Sequence, residues 1–253
     1  MKVTGSVRAA FDQGQVPTIA CFNRATVGLG VDLDALLAAM QKFVDKYFAP
    51  VWGTPAKLVK SSGFVKGTWA MVFLDNADAP GALAYHALTP DGLPVSKVFV
   101  KTTLDNGDKV SVSASHELAE MLADPAINLY STGPNPKAQY AYETADPVEA
   151  LSFKVNRIPM SDFVYPSYFE AFRKPGSTKF DYLGKVKRPF QILSGGYQIV
   201  SKNGKETEIF GSKSKRAAFK KENRKGHRSE YRAGRELIRR SRPDPGKILA
   251  TYA

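Results

Sequence analysis

The chain has 253 residues, 43% hydrophobic and 11% aromatic, enough to bury one sizeable core plus an appendage and too apolar for a disordered chain. Its formal net charge of +12 is uneven: 14 of the 36 Lys/Arg and 4 of the 24 Asp/Glu lie between Lys213 and Lys247, leaving 22 against 20 elsewhere. No apolar run approaches the roughly 18 residues that cross a bilayer, residues 1–15 lack the apolar core of a signal peptide, and the single cysteine, Cys21, excludes an intrachain disulfide or a thiolate-built zinc knuckle.

Residues 16–22, a short run of strand formers, predict the first strand. Asp32 then stands as N-cap to Leu33, Leu36, Leu37, Met40, Phe43, Val44, Tyr47 and Phe48. Their three- and four-residue steps predict a long amphipathic helix, closed by Pro50 and Gly53. Strand-like segments follow near 56–60 and at 69–74, 82–88 and 97–103, separated by turn residues such as Thr89-Pro90-Asp91-Gly92. Ser113 or Ser115 caps a second helix, in which Leu118, Met121 and Leu122 share a face and which Pro125 stops. Beyond it, 129–140 reads as a Pro/Gly/Asn-rich loop and 140–149 as a compact acidic segment, with strands expected at 152–158, 162–169 and 191–200. Apolar residues thin out after Ser212, which places a boundary near Gly211.

The second helix carries the chemistry. His116 and Glu120 are one turn apart and project from one face, so both can reach a single cation, while Glu117 points about 100° around. This is the spacing of a His-Glu-x-x-His zinc helix with the second ligand changed to a carboxylate. Imidazole and carboxylate both bind zinc at about 2.0–2.2 Å, and Glu117 would take the proton of a water activated there, as general base. Asp124 lies on the same stripe but a further turn along, too far to share one ion with His116. The third ligand is expected from the acidic segment. Either Glu143 is the ligand and Asp146 orients His116, or the two roles are reversed, with Glu149 as a spare.

The run Ser115-His116-Glu117-Leu118-Ala119-Glu120-Met121-Leu122-Ala123-Asp124-Pro125 resembles the His-Glu-Leu-x-Glu-x-x-x-Asp/Asn-Pro signature of His-Glu-x-x-Glu zincin-like proteins, among them EXORDIUM-like and uncharacterised phage-encoded proteins. Glu143-Thr144-Ala145-Asp146 resembles the Glu-x-x-Asp segment that follows it there, and the likeness covers residues 95–147. The order strand, helix, several strands, His-Glu helix also resembles the N-terminal half of zincin metallopeptidases. The resemblance implies a zinc-metallopeptidase-like fold for that part and zinc as cofactor. Two departures stand out: Glu120 replaces the second His of standard zincins, and no His follows in the metzincin position. The donor set is harder and more anionic, which leaves calcium, manganese or no metal open.

His86 falls in the strand that would edge a zincin cleft, where it could polarise a substrate carbonyl or serve as a hydrogen-bonded structural residue. Trp52, Trp69 and the Tyr165/Tyr168/Phe169 cluster are expected in the core, and Gly195-Gly196 reads as a tight turn. The basic segment interleaves Phe219 and Tyr231 with Lys and Arg, and a short helix over 229–240 is expected in it. It suits phosphates of a nucleic acid or an acidic protein surface.

The expected fold is α+β. A zincin-like mixed sheet with two helices occupies residues 1–125, a strand- and loop-rich completion of the same domain 126–211, and an extended basic C-terminal arm 212–253. The expected function is that of a phage-encoded metalloprotein, possessing zinc at His116, Glu120, Glu143 and Asp146 and hydrolysing a peptide or other amide through Glu117. The alternative is a non-catalytic virion structural protein whose arm binds neighbouring subunits or nucleic acid. Either would sit in the host cytoplasm or a virion, in a larger assembly, with no membrane partner.

Overall fold

The computed structural model describes residues 16–79 and 82–221, so most of the basic arm, including the helix expected over 229–240, lies outside the described residues. The described chain is mixed α/β, with several sheets and few helices. Strands β1 (Thr18–Asn23), β2 (Lys57–Lys60), β3 (Trp69–Leu74), β4 (Ala84–Leu88) and β5 (Pro94–Phe99) form one sheet in the order β2-β1-β3-β5-β4. All neighbours are parallel except the edge strand β4, which runs antiparallel to β5. Parallel strands covered on both faces must be apolar almost throughout, and β3, Trp-Ala-Met-Val-Phe-Leu, is. Ile19, Cys21, Met71, Phe73 and Val98 face the helices, whereas Phe22, Ala70, Val72, Ala87 and Val95 form a smaller cluster. Burial pushes the Cys21 thiol up to about 12, as suits a packing residue.

Helix α1 (Leu33–Phe43) starts where the sequence places it, with the Asp32 carboxylate accepting from the Ala35 N–H at 2.9 Å. It does not stop at Pro50. A π turn, Val44–Phe48, widens the helix ahead of the proline, Ala49 N–H reaches back five residues to Val44 O, and α2 (Ala49–Trp52) then continues to Gly53. The π turn shifts the hydrogen-bond register before Pro50 withholds its donor. Gly53 ends the run in a left-handed conformation, φ +70°.

Two further expectations are corrected. The strand expected at 97–103 begins and ends earlier, as β5, and is followed by α3 (Val100–Asp105), whose Lys101 N–H bonds Asp75 O. The His-Glu helix, α4 (Val110–Ala123), begins before either predicted capping serine, with no side-chain cap. Ser115 is instead a buried tie: its hydroxyl donates to Ser111 O at 2.8 Å and accepts from Ser161 N–H at 2.8 Å. Leu118, Met121 and Leu122 do share the core face.

The expected loop at 129–140 contains two short strands, β6 (Tyr130–Thr132) and β7 (Gln139–Ala141). They join β10 (Tyr197–Lys202) and β11 (Lys205–Phe210) in a second sheet, ordered β11-β10-β7-β6. Strands β8 (Ser152–Val155) and β9 (Ile158–Ser161) form a hairpin whose two turn residues, Asn156 and Arg157, both have positive φ, and it packs under α1 and α4. Residues 162–169 are not a strand: Val164 makes one bridge to Asp181, and Pro166–Phe169 is a 3-10 turn. Proline cannot donate to a ladder, and here it opens the turn.

A second core gathers Tyr140, Val148, Tyr168, Phe169, Phe180 and Phe190, with Trp52 packing against both cores and its Nε1–H donating to Val164 O at 3.0 Å. Trp69, Tyr168 and Phe169 are buried as expected. The first part of the basic segment forms α5 (Lys213–Lys221). It docks on the domain through Phe219, seated between Tyr197 and Phe210, and through Lys215, paired with Glu149. Among the described residues no helix is long and apolar enough to cross a membrane.

Candidate metal centre

Helix α4 crosses the sheet over β5 and the edge strand β4, which sets His116, Glu117 and Glu120 against that edge. From the far side of the sequence the chain returns after β7, and Pro147 opens a 3-10 turn, Asp146–Val148, that turns the acidic segment towards the helix. Three contacts hold this bend. Ala145 N–H donates to Glu120 Oε1 at 3.2 Å, Val164 N–H to Thr144 O at 2.7 Å, and Leu193 N–H to Pro147 O at 3.0 Å. Gly196 lies against the same turn so closely that a Cβ there would fall 2.6 Å from Asp146 O. The glycine pair therefore permits a close approach of two backbones.

The result is a buried cluster. His116 Nε2 lies 3.5 Å from Glu120 Oε1 and 3.2 Å from Asp146 Oδ1, so both carboxylates face the same ring nitrogen. His116, Glu117 and Glu120 each offer a ligand atom within 4.8 Å of the others, and so do His86, Glu120 and Glu143. Glu120 belongs to both groups. Asp146 is thus set against His116, and Glu143 converges with His86 and Glu120. Of the other acidic candidates, Asp124 caps the end of α4 by accepting from Asn128 and Leu129 N–H at 2.9 and 3.0 Å. Glu149 pairs with Lys215.

His86 is a member that the sequence left undecided. Its Nδ1 is 3.1 Å from Glu117 Oε2 and 3.9 Å from Glu120 Oε2. Strand alternation was the available signal: Tyr85 and Ala87 pack on one face of β4, so Ala84, His86 and Leu88 share the other. What could not be read from spacing is that this other face meets α4 at Glu117.

Electrostatics in the cluster is dominated by crowded carboxylates. Burial pushes the His116 pKa down, but Glu120, Asp146 and Glu117 together outweigh it and hold the imidazole well above its ordinary value. Burial and the neighbouring Glu120 push Asp146 up to about 7, against the opposing pull of His116. The same burial holds the Tyr168 hydroxyl well above its usual range, with Asp146 adding to the effect. A cation is what this pocket of negative charge favours, whether a proton on His116 or a metal.

Two groups of these donors, His116 with Glu117 and Glu120, and His86 with Glu120 and Glu143, could each hold a metal ion. Ligand atoms about 2.0–2.2 Å from one tetrahedral ion stand about 3.3–3.6 Å apart. His116 Nε2 stands 3.5 and 3.2 Å from its two carboxylate oxygens. A separate cavity, lined by Phe64, Val65, Tyr85, Leu88 and Lys97, includes side chains of the sheet's smaller cluster and none of these donors. No family model, curated protein or solved structure matches the chain.

Proposed function

We propose that the chain is a zincin-like metalloprotein that hydrolyses a peptide or other amide at a divalent cation, with zinc as the ion its nitrogen and oxygen donors suit. The observation that carries this is the meeting at His116 Nε2 of Glu120, from the same helical turn, and Asp146, from a bend 26 residues beyond Glu120, at 3.5 and 3.2 Å. A five-stranded sheet whose antiparallel edge strand lies beside the His-Glu helix is consistent with a zincin-like arrangement.

His116, Glu120 and Asp146 would hold the ion. A bound cation supplies Lewis acidity, polarising a carbonyl and making water acidic near neutral pH. Glu117 takes the proton from the attacking water and returns it to the leaving amine. His86 lies beside that carboxylate, its Nδ1 3.1 Å from Glu117 Oε2. Of the three residues that would hold the ion, His116 is the least buried, its side chain keeping 13% of its surface against 5% for Glu120 and 2% for Asp146, so substrate would approach from its side.

The test is elemental analysis of the full chain alongside Glu117→Gln. With a fluorescently labelled casein digest as probe, the variant is expected to keep its metal and lose hydrolysis by about 100-fold or more. A metal-free wild-type protein, or undiminished hydrolysis in the variant, defeats the reading.

A second reading has one observation behind it, the net +10 between Lys213 and Lys247. In that reading the chain is a phage virion component without turnover, and the arm grips nucleic acid or an acidic neighbour. Stoichiometric presence in a particle, with no metal and no hydrolysis, would favour it.

A further inference from the structure

One cation does not use this cluster up. A single zinc ion takes about three protein ligands when it leaves a position for water. Here two imidazoles and four carboxylates, His86, His116, Glu117, Glu120, Glu143 and Asp146, are packed together, five of them buried. Four carboxylates and two imidazoles are also the donor inventory with which helical bundles hold a pair of iron or manganese ions, although on an unrelated architecture.

The arrangement around Glu120 is divided in two. Its Oε1 faces His116 Nε2 at 3.5 Å, and its Oε2 faces His86 Nδ1 at 3.9 Å. Asp146 lies on the His116 side at 3.2 Å, and Glu143 converges with His86. A carboxylate that presents one oxygen to each of two imidazoles is placed to bridge two ions, which in two-metal sites stand about 3.5–4 Å apart. Charge points the same way. A buried carboxylate is costly unless compensated, and one divalent ion balances only half of four.

An independent observation lies on the His86 side. Ser96, in β5, stands directly across the ladder from His86, so both side chains leave the same face of the sheet. Ser96 is fully buried, and its Oγ meets no hydrogen-bond partner among the described residues. A buried hydroxyl ordinarily finds a partner. Here a polar atom stands beside His86 for something that the described residues do not supply.

We propose that the cluster binds two divalent cations bridged by Glu120, one held by His116 and Asp146, the other by His86 and Glu143. This rests on the metal-binding reading of the same site and deepens it. Each position offers one imidazole nitrogen and two carboxylate oxygens, a set that suits manganese or zinc. Glu117, grouped with His116 and Glu120 and 3.1 Å from His86 Nδ1, would serve whichever ion activates water.

The experiment uses the full chain, stripped with a chelator and reloaded with Mn2+ or Zn2+. Elemental analysis is expected to give two ions per chain for the wild type. His86→Ala and, in case that variant folds poorly, Glu143→Gln should each give one. Mn2+-loaded wild type should show a spin-coupled pair by electron paramagnetic resonance, which becomes the six-line signal of an isolated ion in either variant. A wild type that binds a single ion overturns the second site and leaves the one-metal reading standing. Two ions that persist in both variants also overturn it, because they sit elsewhere. A wild type that binds none defeats both proposals.

Discussion

Asp162, beside Asp181, shows how one residue can tie stability to pH apart from the His116 cluster. Both are fully buried, and burial followed by the adjacent Asp181 pushes the Asp162 carboxyl up to about 8. Its Oδ1 accepts from Phe163 N–H at 2.9 Å and Leu183 N–H at 3.2 Å, anchoring the turn that brings Tyr182 over Phe163. An unfolded Asp ionises near 3.9, so the folded state holds this proton more tightly. The stability it contributes is full below pH ~4 and is lost as pH rises towards 8. Asp162→Asn keeps an acceptor and cannot ionise. Urea midpoints measured from pH 4 to pH 8 should therefore fall in the wild type relative to the variant, and parallel curves would remove Asp162 as the cause.

At the scale of elements, the acidic bend is held less by its own sequence than by what lies beneath it. Gly196 leaves no room for a Cβ next to the carbonyls of Asp146 and Pro147. Gly196→Ala must push the bend away from α4, at a cost of about 1–3 kcal/mol. Metal affinity should fall with it, because Asp146 moves relative to His116. Gly204→Ala is the control. Its positive φ of +76° lies in the β10–β11 turn, with nothing within 4 Å of a Cβ. It should lose about 1–2 kcal/mol of stability through backbone strain and keep its metal. Equal metal affinities for the two variants, read by competition with a chelating dye, would show that Gly196 does not position Asp146.

For the whole molecule, the distribution of charge is partly answered by packing. The basic run does not leave the domain at Gly211. Helix α5 lies on β11, Phe219 is buried between Tyr197 and Phe210, and Lys215 neutralises Glu149 beside the acidic bend. Phe219→Ala removes that anchor and should cost about 3 kcal/mol, lowering the thermal midpoint by several degrees. An unchanged midpoint would mean that α5 contributes nothing to the fold. Composition places the cation-rich segment correctly but cannot say which of its aromatic residues is buried, since burial requires a partner surface.

Features encoded within a few neighbouring residues are legible in the chain alone. Asp32 and the apolar period after it specify α1, the continuous apolar run specifies β3, and the His116/Glu120 spacing specifies a common helical face. One local signal was passed over: Asn203-Gly204, both at positive φ, closes the β10–β11 hairpin and is a strong turn pair. Other features follow from long-range packing. The π turn that carries α1 past Pro50, the shift of β5 into α3, and the placing of Asp146 on His116 and Glu143 with His86 depend on contacts between distant segments. Such contacts cannot be read from spacing, because loop lengths fix only how far a chain can reach, and packing fixes where it arrives.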